Sequence, residues 1–157
     1  MSSIFRSHWE RRLGRCESPI ESMFLEQFCA TAVDHGYDVD RIVKVPSETI
    51  VVLPQARIDR FRVDFFIWLD FFGDRIELAV ECDGHKWHER TKEQAKKDRT
   101  RDRALQSLGY EVLRFTGSEI NASPMKCASE VLERIMDFQT ACFVKAIERA
   151  QAIEARP

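Results

Sequence analysis

The chain has 157 residues, of which 44% are hydrophobic and 32% are charged, with only 6 glycines and 5 prolines. This composition fits one globular domain with its own core and excludes a disordered or low-complexity chain. The formal net charge of −2 does not mark a nucleic-acid-binding protein, so the distribution of charge along the chain must carry that evidence.

The cysteines indicate a reducing compartment. They are odd in number and widely spaced, which is typical of buried thiols and not of a disulfide framework. No stretch has the apolar length of a signal peptide or a membrane span. We therefore expect a cytoplasmic protein with no membrane contact and with five free core thiols: Cys16, Cys29, Cys82, Cys127 and Cys142.

The chain begins with a basic arm over residues 1–17, followed by a predicted helix over 19–34. The order Ser18-Pro19-Ile20-Glu21 supplies an N-cap, a proline at the first helical position and a glutamate that closes a capping box. Apolar residues then recur at helical spacing until Gly36. Strands are predicted over 37–45 and 51–53, the second ending at a turn at Pro54.

Residues 61–69 and 76–82 predict a β-hairpin with its turn at 72–73. Apolar side chains recur at every second position in both strands, so one face of each should meet the core. In the first strand this face comprises Phe61, Val63, Phe65, Ile67 and Leu69, and in the second Ile76, Leu78, Val80 and Cys82. The core face has odd residue numbers in the first strand and even ones in the second. If both faces are buried together, the numbers of two directly paired residues must therefore sum to an odd value. A turn at residues 72 and 73 sets that sum at 145.

The same register places Asp64 directly opposite Glu81 on the other face. Opposed like charges destabilise a sheet unless something compensates them. A hard divalent cation such as Mg²⁺ would do so, because it binds carboxylates together with water and phosphate oxygens. The alternative is an exposed sheet face with two unremarkable acids.

A polar run, Cys82-Asp83-Gly84-His85-Lys86-Trp87-His88, follows the second strand. Strand ends are where α/β proteins place ligands, and an imidazole there can transfer protons near pH 7. For either histidine taken singly, loop packing is the alternative. Zinc bound by Cys82, His85 and His88 is a third possibility, disfavoured because Cys82 is predicted to face the core and no second Cys/His cluster follows.

A second helix is predicted from the cap Thr91 to Leu108, with Gly109 ending it. Its inward stripe comprises Ala95, Asp98, Asp102, Leu105 and Leu108, so two aspartates occupy positions that should be apolar. They need partners, which could be Arg101 and Arg103. Alternatively, Asp98 faces the same site as Asp64 and Glu81.

The same helix carries a basic stripe. Lys92, Lys96, Arg99 and Arg103 follow one another at steps of four, three and four residues. Residues 86–103 hold eight Lys or Arg and four Asp or Glu, a local excess within an acidic chain. This stripe could follow a phosphate backbone, with Arg57, Arg60 and Arg62 adding charge beside Asp64, or it could be a solvated helix face.

A strand over 110–115 and a long helix from Ser123-Pro124 to about Ala152 complete the chain. The order of elements predicts an α/β fold with a mixed sheet flanked by helices. We expect a domain over 18–122 and a C-terminal helix over 123–157. The apolar strip of that helix would pack on the same domain or pair with a second copy in a homodimer.

Several of these segments together resemble a known family. They are Val63-Asp64-Phe65, Ala79-Val80-Glu81-Cys82-Asp83-Gly84, His88, Asp98-x-x-Arg101-Asp102, Leu108-Gly109-Tyr110 and Val112-Leu113-Arg114-Phe115. In this order they resemble small nucleases related to very-short-patch-repair endonucleases, within the PD-(D/E)XK, restriction-endonuclease-like superfamily that includes the EDxHD homing endonucleases. The resemblance covers about residues 18–120 and implies that superfamily's fold.

The resemblance implies a metal-dependent endonuclease acting on DNA, with Mg²⁺ as cofactor and Mn²⁺ as a substitute. The implied catalytic residues are Asp64, Glu81, His88, Asp98 and Glu21, and the implied metal ligands are Asp64, Glu81 and Asp83. DNA contacts would come from Lys86, Lys92, Lys96, Arg99, Arg103 and Arg62.

Two departures from the family pattern bear on activity. The superfamily lysine is Asp83 here, so His88, Lys86 or Lys96 would replace it, and the cysteines of the repair enzymes' structural zinc are absent from the sequence. The alternative is a catalytically inactive nucleic-acid-binding or regulatory module with the same fold.

Overall fold

A mixed five-stranded sheet with the order β1-β2-β3-β4-β5 organises the chain. The computed structural model describes residues 12–39, 49–84 and 92–154. Strands β1 and β2 run parallel, as do β4 and β5, whereas β3 is antiparallel to both of its neighbours. This confirms the predicted α/β fold with a mixed sheet, flanking helices and a long C-terminal helix. The elements are α1 (Pro19–Asp34), β1 (Asp38–Val39), β2 (Thr49–Ile58), β3 (Phe61–Phe71), β4 (Asp74–Asp83), α2 (Lys92–Ser107), β5 (Glu111–Thr116), α3 (Gly117–Ala122) and α4 (Pro124–Glu154).

The predicted hairpin register is confirmed. Phe65 pairs with Val80, and the turn residues Phe72 and Gly73 have φ values of 50° and 86°. Two consecutive positive φ angles form the tight turn whose twist matches that of the flanking strands. The register therefore follows from the turn together with the alternation of apolar residues.

Two hydrophobic clusters lie on opposite faces of the sheet. The main core includes Phe65, Val80 and Leu113 from the strands and packs against α1 and α4 through Phe24, Phe28, Val131 and Leu132. The second cluster comprises Ile58, Val63, Ala79 and Leu105, and it lies under α2. Ala79 and Val80 are consecutive strand residues in different clusters, as the pleat requires.

The predicted single core face of β3 is wrong at its first two apolar positions. Phe65 belongs to the main core, but Val63 is buried in the second cluster and Phe61 packs against it. The side chains on either side of Asp64 thus enter different clusters. The physical reason lies in β2, where Gln55 has a left-handed φ of 53° between the pairs Pro54–Phe65 and Ala56–Val63. This conformation breaks the regular pleat.

The predicted turn at Pro54 is also wrong, because Pro54 is buried inside β2 and pairs with Phe65. Within the described residues, β1 pairs with β2 only at Thr49 and Ile50, so Pro54 lies at an open edge of the sheet there. Proline is tolerated at such an edge because no neighbouring strand requires its missing N–H. Of the strand predicted over 37–45, β1 is the described part, and residues 40–45 lie outside the described ranges.

The helix boundaries follow the predicted signals closely. Ser18 caps α1 by accepting the N–H of Glu21, and Gly109 follows α2 with a φ of 94°. Thr91 lies outside the described residues. Leu108, predicted for the inward stripe of α2, is instead exposed because the helix ends at Ser107 and the chain turns there.

The cysteines and α4 agree with the expected packing. All five cysteines are free thiols; Cys16 is half-buried and the others are buried. Helix α4 buries Val131 and Ile135 in the core, whereas Phe143 and Ile147 further along it are exposed. None of the helices in the described ranges has the length and apolar character needed to cross a membrane.

Candidate active site

The predicted acids lie where β3 passes from one cluster to the other. The paired residues of the hairpin end at Phe65 and Val80, one position before the expected pair of Asp64 and Glu81. There the Asp64 carboxylate replaces a backbone acceptor, because its Oδ2 accepts the N–H of Cys82 at 2.7 Å. Asp64 is therefore anchored to β4 beside Glu81 by its side chain.

Glu81 is the most strongly perturbed acid of the site. It is only 6% exposed, and its Oε1 accepts a hydrogen bond from Arg101 of α2 at 2.6 Å. Burial raises the pKa of Glu81 to about 7, the Arg101 guanidinium opposes this, and the negative charge of Asp64 adds to it. Glu81 thus ionises only with help from neighbouring positive charge.

The pKa of Asp64 is also raised. Burial is the main cause, and the charges of Glu21 and Asp83 add to it. The N–H of Cys82 and the charge of Arg101 act in the opposite direction. These shifts place Glu21, Asp64, Glu81 and Asp83 within one electrostatic neighbourhood, although their side chains come from α1, β3 and β4.

Glu21 is both a helix cap and a member of this neighbourhood. Its Oε1 accepts from the hydroxyl of Ser18 at 2.7 Å, as the capping signal predicts. Its Oε2 accepts from the N–H of Glu17 and from Nε2 of Gln55, each at 2.8 Å. Glu21 is 6% exposed, so the cap holds a buried carboxylate close to Asp64.

Gln55 is a site residue that the sequence analysis missed. It lies between the pairs that flank Asp64, and it has a left-handed φ that residues with a side chain rarely adopt. Its Oε1 is buried and accepts no hydrogen bond within the described chain. The available signal was one amide after Pro54 in a strand of otherwise apolar character.

Asp83 and Asp102 share one arginine. Arg114 of β5 lies 3.1 Å from the Asp83 carboxylate and donates to Asp102 Oδ1 at 2.8 Å. Burial lowers the pKa of Arg114, but these two carboxylates outweigh it and raise that pKa. Arg101 and Arg103 were predicted as partners of Asp102, and this prediction is wrong. Arg101 binds Glu81 instead, and Arg103 is exposed.

The remaining predicted residues divide into three groups. Asp98 is half-buried on α2, one turn before Asp102. The stripe of Lys92, Lys96, Arg99 and Arg103 is exposed, and Arg62 forms an exposed ion pair with Glu17 at 2.6 Å. The third group lies outside the described ranges: His85, Lys86 and His88. Of the three residues in the zinc alternative only Cys82 is described, and it is buried in the main core.

The acids leave oxygens free for a ligand. Asp64 uses Oδ2 and Glu81 uses Oε1, and within the described chain Asp64 Oδ1 and Glu81 Oε2 accept no hydrogen bond. No group of three or more His, Cys, Asp or Glu side chains in residues 12–39, 49–84 and 92–154 is arranged to hold a metal ion. These residues thus provide two carboxylate oxygens and no complete coordination shell.

Comparison with known protein families matches residues 40–135 to REase_MTES_1575, a family of restriction-endonuclease-like proteins. The matched segment spans more than half of the chain and contains Asp64, Glu81 and Asp98. The chain belongs to this family. Membership confirms the restriction-endonuclease-like superfamily and indicates a nuclease with DNA as its substrate. No curated protein and no solved structure matches the chain.

Proposed function

We propose that this restriction-endonuclease-like protein is a Mg²⁺-dependent endodeoxyribonuclease of the very-short-patch-repair type, which hydrolyses phosphodiester bonds in DNA. The observation that carries the proposal is the position of Asp64 and Glu81, two neighbouring carboxylates whose pKa values are both raised. Perturbed acids of this kind cluster at catalytic sites.

The donor set fits a hard divalent cation. Asp64 Oδ1 and Glu81 Oε2 are carboxylate oxygens, and Gln55 Oε1 is a buried amide oxygen that accepts no hydrogen bond in the described chain. Mg²⁺ is commonly bound by one or two carboxylates, with water and substrate phosphate completing its shell. When bound, the ion would polarise the phosphate and lower the pKa of a coordinated water.

The other site residues act around these two acids. His88 transfers a proton, with Lys86 or Lys96 as the alternative in place of the superfamily lysine. Glu21 and Asp98 orient groups around the acids. Asp83 is a further proposed ligand, and it must give up its contact with Arg114 to bind the ion. The DNA backbone is held by cations that act independently of sequence: Lys86, Lys92, Lys96, Arg99, Arg103 and Arg62.

Incubation of the full chain with supercoiled plasmid tests this proposal. We expect nicking or linearisation with Mg²⁺ or Mn²⁺, no cleavage in EDTA, and no cleavage by the variant Asp64→Asn. The matched control is Asp70→Asn, which changes an exposed acid of the same strand beside Arg75 and should cleave like the parent. Cleavage by Asp64→Asn at the parent's rate would refute the assignment.

A nucleic-acid-binding module without catalysis is the second candidate. It is favoured by the arginines that already neutralise two acids, since Arg101 contacts Glu81 and Arg114 contacts Asp83. This candidate predicts that the protein retards plasmid in a gel and leaves it intact with either metal. The plasmid experiment therefore separates the two functions directly.

A further inference from the structure

A groove with a largely apolar lining and basic side chains around it lies between α2 and the turn from β2 to β3. Its volume is about 390 Å³, and its walls include Arg60, Phe61, Lys96, Lys97 and Arg101. Every charged residue among those lining this groove is basic. Only Lys96 of this set belongs to the stripe predicted from the sequence, so the groove overlaps that stripe at one residue and otherwise has its own walls.

Two other grooves in the described part of the chain have walls of mixed charge. One on α4 places Glu130 and Glu133 beside Lys126 and Arg134, and another places Glu77 beside Arg75. Such mixed walls hold no net attraction for a polyanion. At the groove beside α2 every charged residue is basic, which favours a polyanion such as a phosphodiester strand.

Phe61 gives the groove an aromatic platform. The ring is half-exposed at the first position of β3, and the guanidinium carbon of Arg60 lies 5.1 Å from its centroid. Nucleic-acid bases stack on aromatic rings and on arginine planes when they are not stacked within a duplex. A paired base has both faces covered by its neighbours, so this platform suits an unpaired nucleotide.

Arg101 connects the groove to the acids. It lines the groove, and its Nη2 donates to Glu81 Oε1 at 2.6 Å and to the backbone carbonyl of Arg62. A strand that occupies the groove therefore contacts the arginine that binds Glu81. We infer that the groove binds an unpaired nucleotide of DNA next to the phosphate that is cleaved, an inference that rests on the proposed function and narrows its substrate to DNA with a single-stranded segment.

Binding of a short oligothymidylate in EDTA tests the groove without any cleavage. The variant Phe61→Trp should lose part of its added fluorescence when the oligonucleotide binds, whereas Phe143→Trp, at an exposed position of α4, should not. Phe61→Leu should weaken binding about 5- to 150-fold, the range measured for stacking of one base, with Phe143→Leu as the unchanged control. Lys96→Ala and Lys97→Ala should each lower the salt slope of binding by about 0.7, unlike the distant Lys145→Ala.

Three results would overturn the inference. The first is equal affinity of the parent and Phe61→Leu for the oligonucleotide. The second is quenching of Phe61→Trp by inorganic polyphosphate to the same extent as by the oligonucleotide. The third is a duplex that binds as tightly as the single strand and depends on Phe61 to the same degree. Urea denaturation of both Phe61 variants verifies that they are folded, and Phe61→Trp alone tests stacking if the leucine variant unfolds. Oligonucleotide binding without plasmid cleavage would reject the proposed nuclease and retain the groove. Plasmid cleavage together with oligonucleotide binding that does not depend on Phe61 would reject the groove and retain the proposed nuclease.

Discussion

Replacing Glu81 with glutamine removes a negative charge that the fold disfavours. Burial, together with the charge of Asp64, raises the pKa of Glu81 from an ordinary 4.5 to about 7. The folded protein therefore holds this proton more tightly than the unfolded chain. At about 1.4 kcal/mol for each tenfold change in proton affinity, ionisation of Glu81 destabilises the fold by about 3 kcal/mol above pH 7.

The cost of ionising Glu81 in the folded protein depends on pH, because the pKa of this group is higher in the folded protein than in the unfolded chain. Below pH 4.5 Glu81 is protonated in both states and its ionisation costs nothing, and the cost grows as the pH rises toward 7. Because the amide of glutamine mimics the protonated acid, Glu81→Gln should raise the free energy of unfolding by about 3 kcal/mol at pH 8 and by little at pH 4.

Urea denaturation in EDTA at these two pH values measures the difference. The matched control is Glu77→Gln on the same strand, where the parent carboxylate lies 3.7 Å from the half-exposed Arg75. This control should show no pH-dependent gain in stability. Equal stability of the parent and Glu81→Gln at pH 8 would show that Glu81 ionises without cost and would refute the reasoning.

Two further predictions concern the backbone and the arginine network. Gln55 has a φ of 53°, so Gln55→Gly should be more stable than Gln55→Ala by about 1 kcal/mol in urea denaturation, because only glycine adopts this conformation freely. The opposite order would show that the backbone relaxes at this position. Arg114→Met leaves Asp83 and Asp102 without this arginine and should lower the free energy of unfolding by about 3 kcal/mol. Arg75→Met, at an exposed ion pair, should cost less than about 1 kcal/mol, and equal losses for both variants would contradict the difference in burial.

The features of the fold that local sequence determines were predictable. The hairpin register needs only the alternation of apolar residues and a turn that tolerates two positive φ angles, and both lie within residues 61–82. The boundaries of α1 follow in the same way from Ser18, Pro19 and Gly36. In each case the signal and the structure it determines are close together in the chain.

The change of face at Asp64 was not predictable from β3 itself. Apolar residues occupy every second position from Phe61 to Leu69 without interruption, and the break arises from the backbone of Gln55 on the neighbouring strand. A pattern confined to one strand contains no information about a distortion imposed by another. This is also why Gln55 was missed as a site residue.

The partners of the acids were predicted only in part. Arg101 and Arg103 were one predicted source of partners for the acids of α2, but Arg101 contacts Glu81, 20 residues earlier in the chain. Asp83 and Asp102 meet at Arg114, which is 31 residues after Asp83. Such contacts depend on the parallel pairing of β4 with β5 and on how α2 lies across them, and spacing along the chain does not encode either.

The separation of the acids from the main core has an evolutionary consequence. Glu81 lies outside that cluster and bonds to Arg101, so mutations that remove its charge leave the hydrophobic packing in place, whereas removal of Asp64 also deprives the N–H of Cys82 of its acceptor. Substitutions that remove the charge of Glu81 would therefore yield descendants that accumulate in cells at least as well as the parent chain. A lineage in which the proposed nuclease activity is lost can keep this architecture for other work.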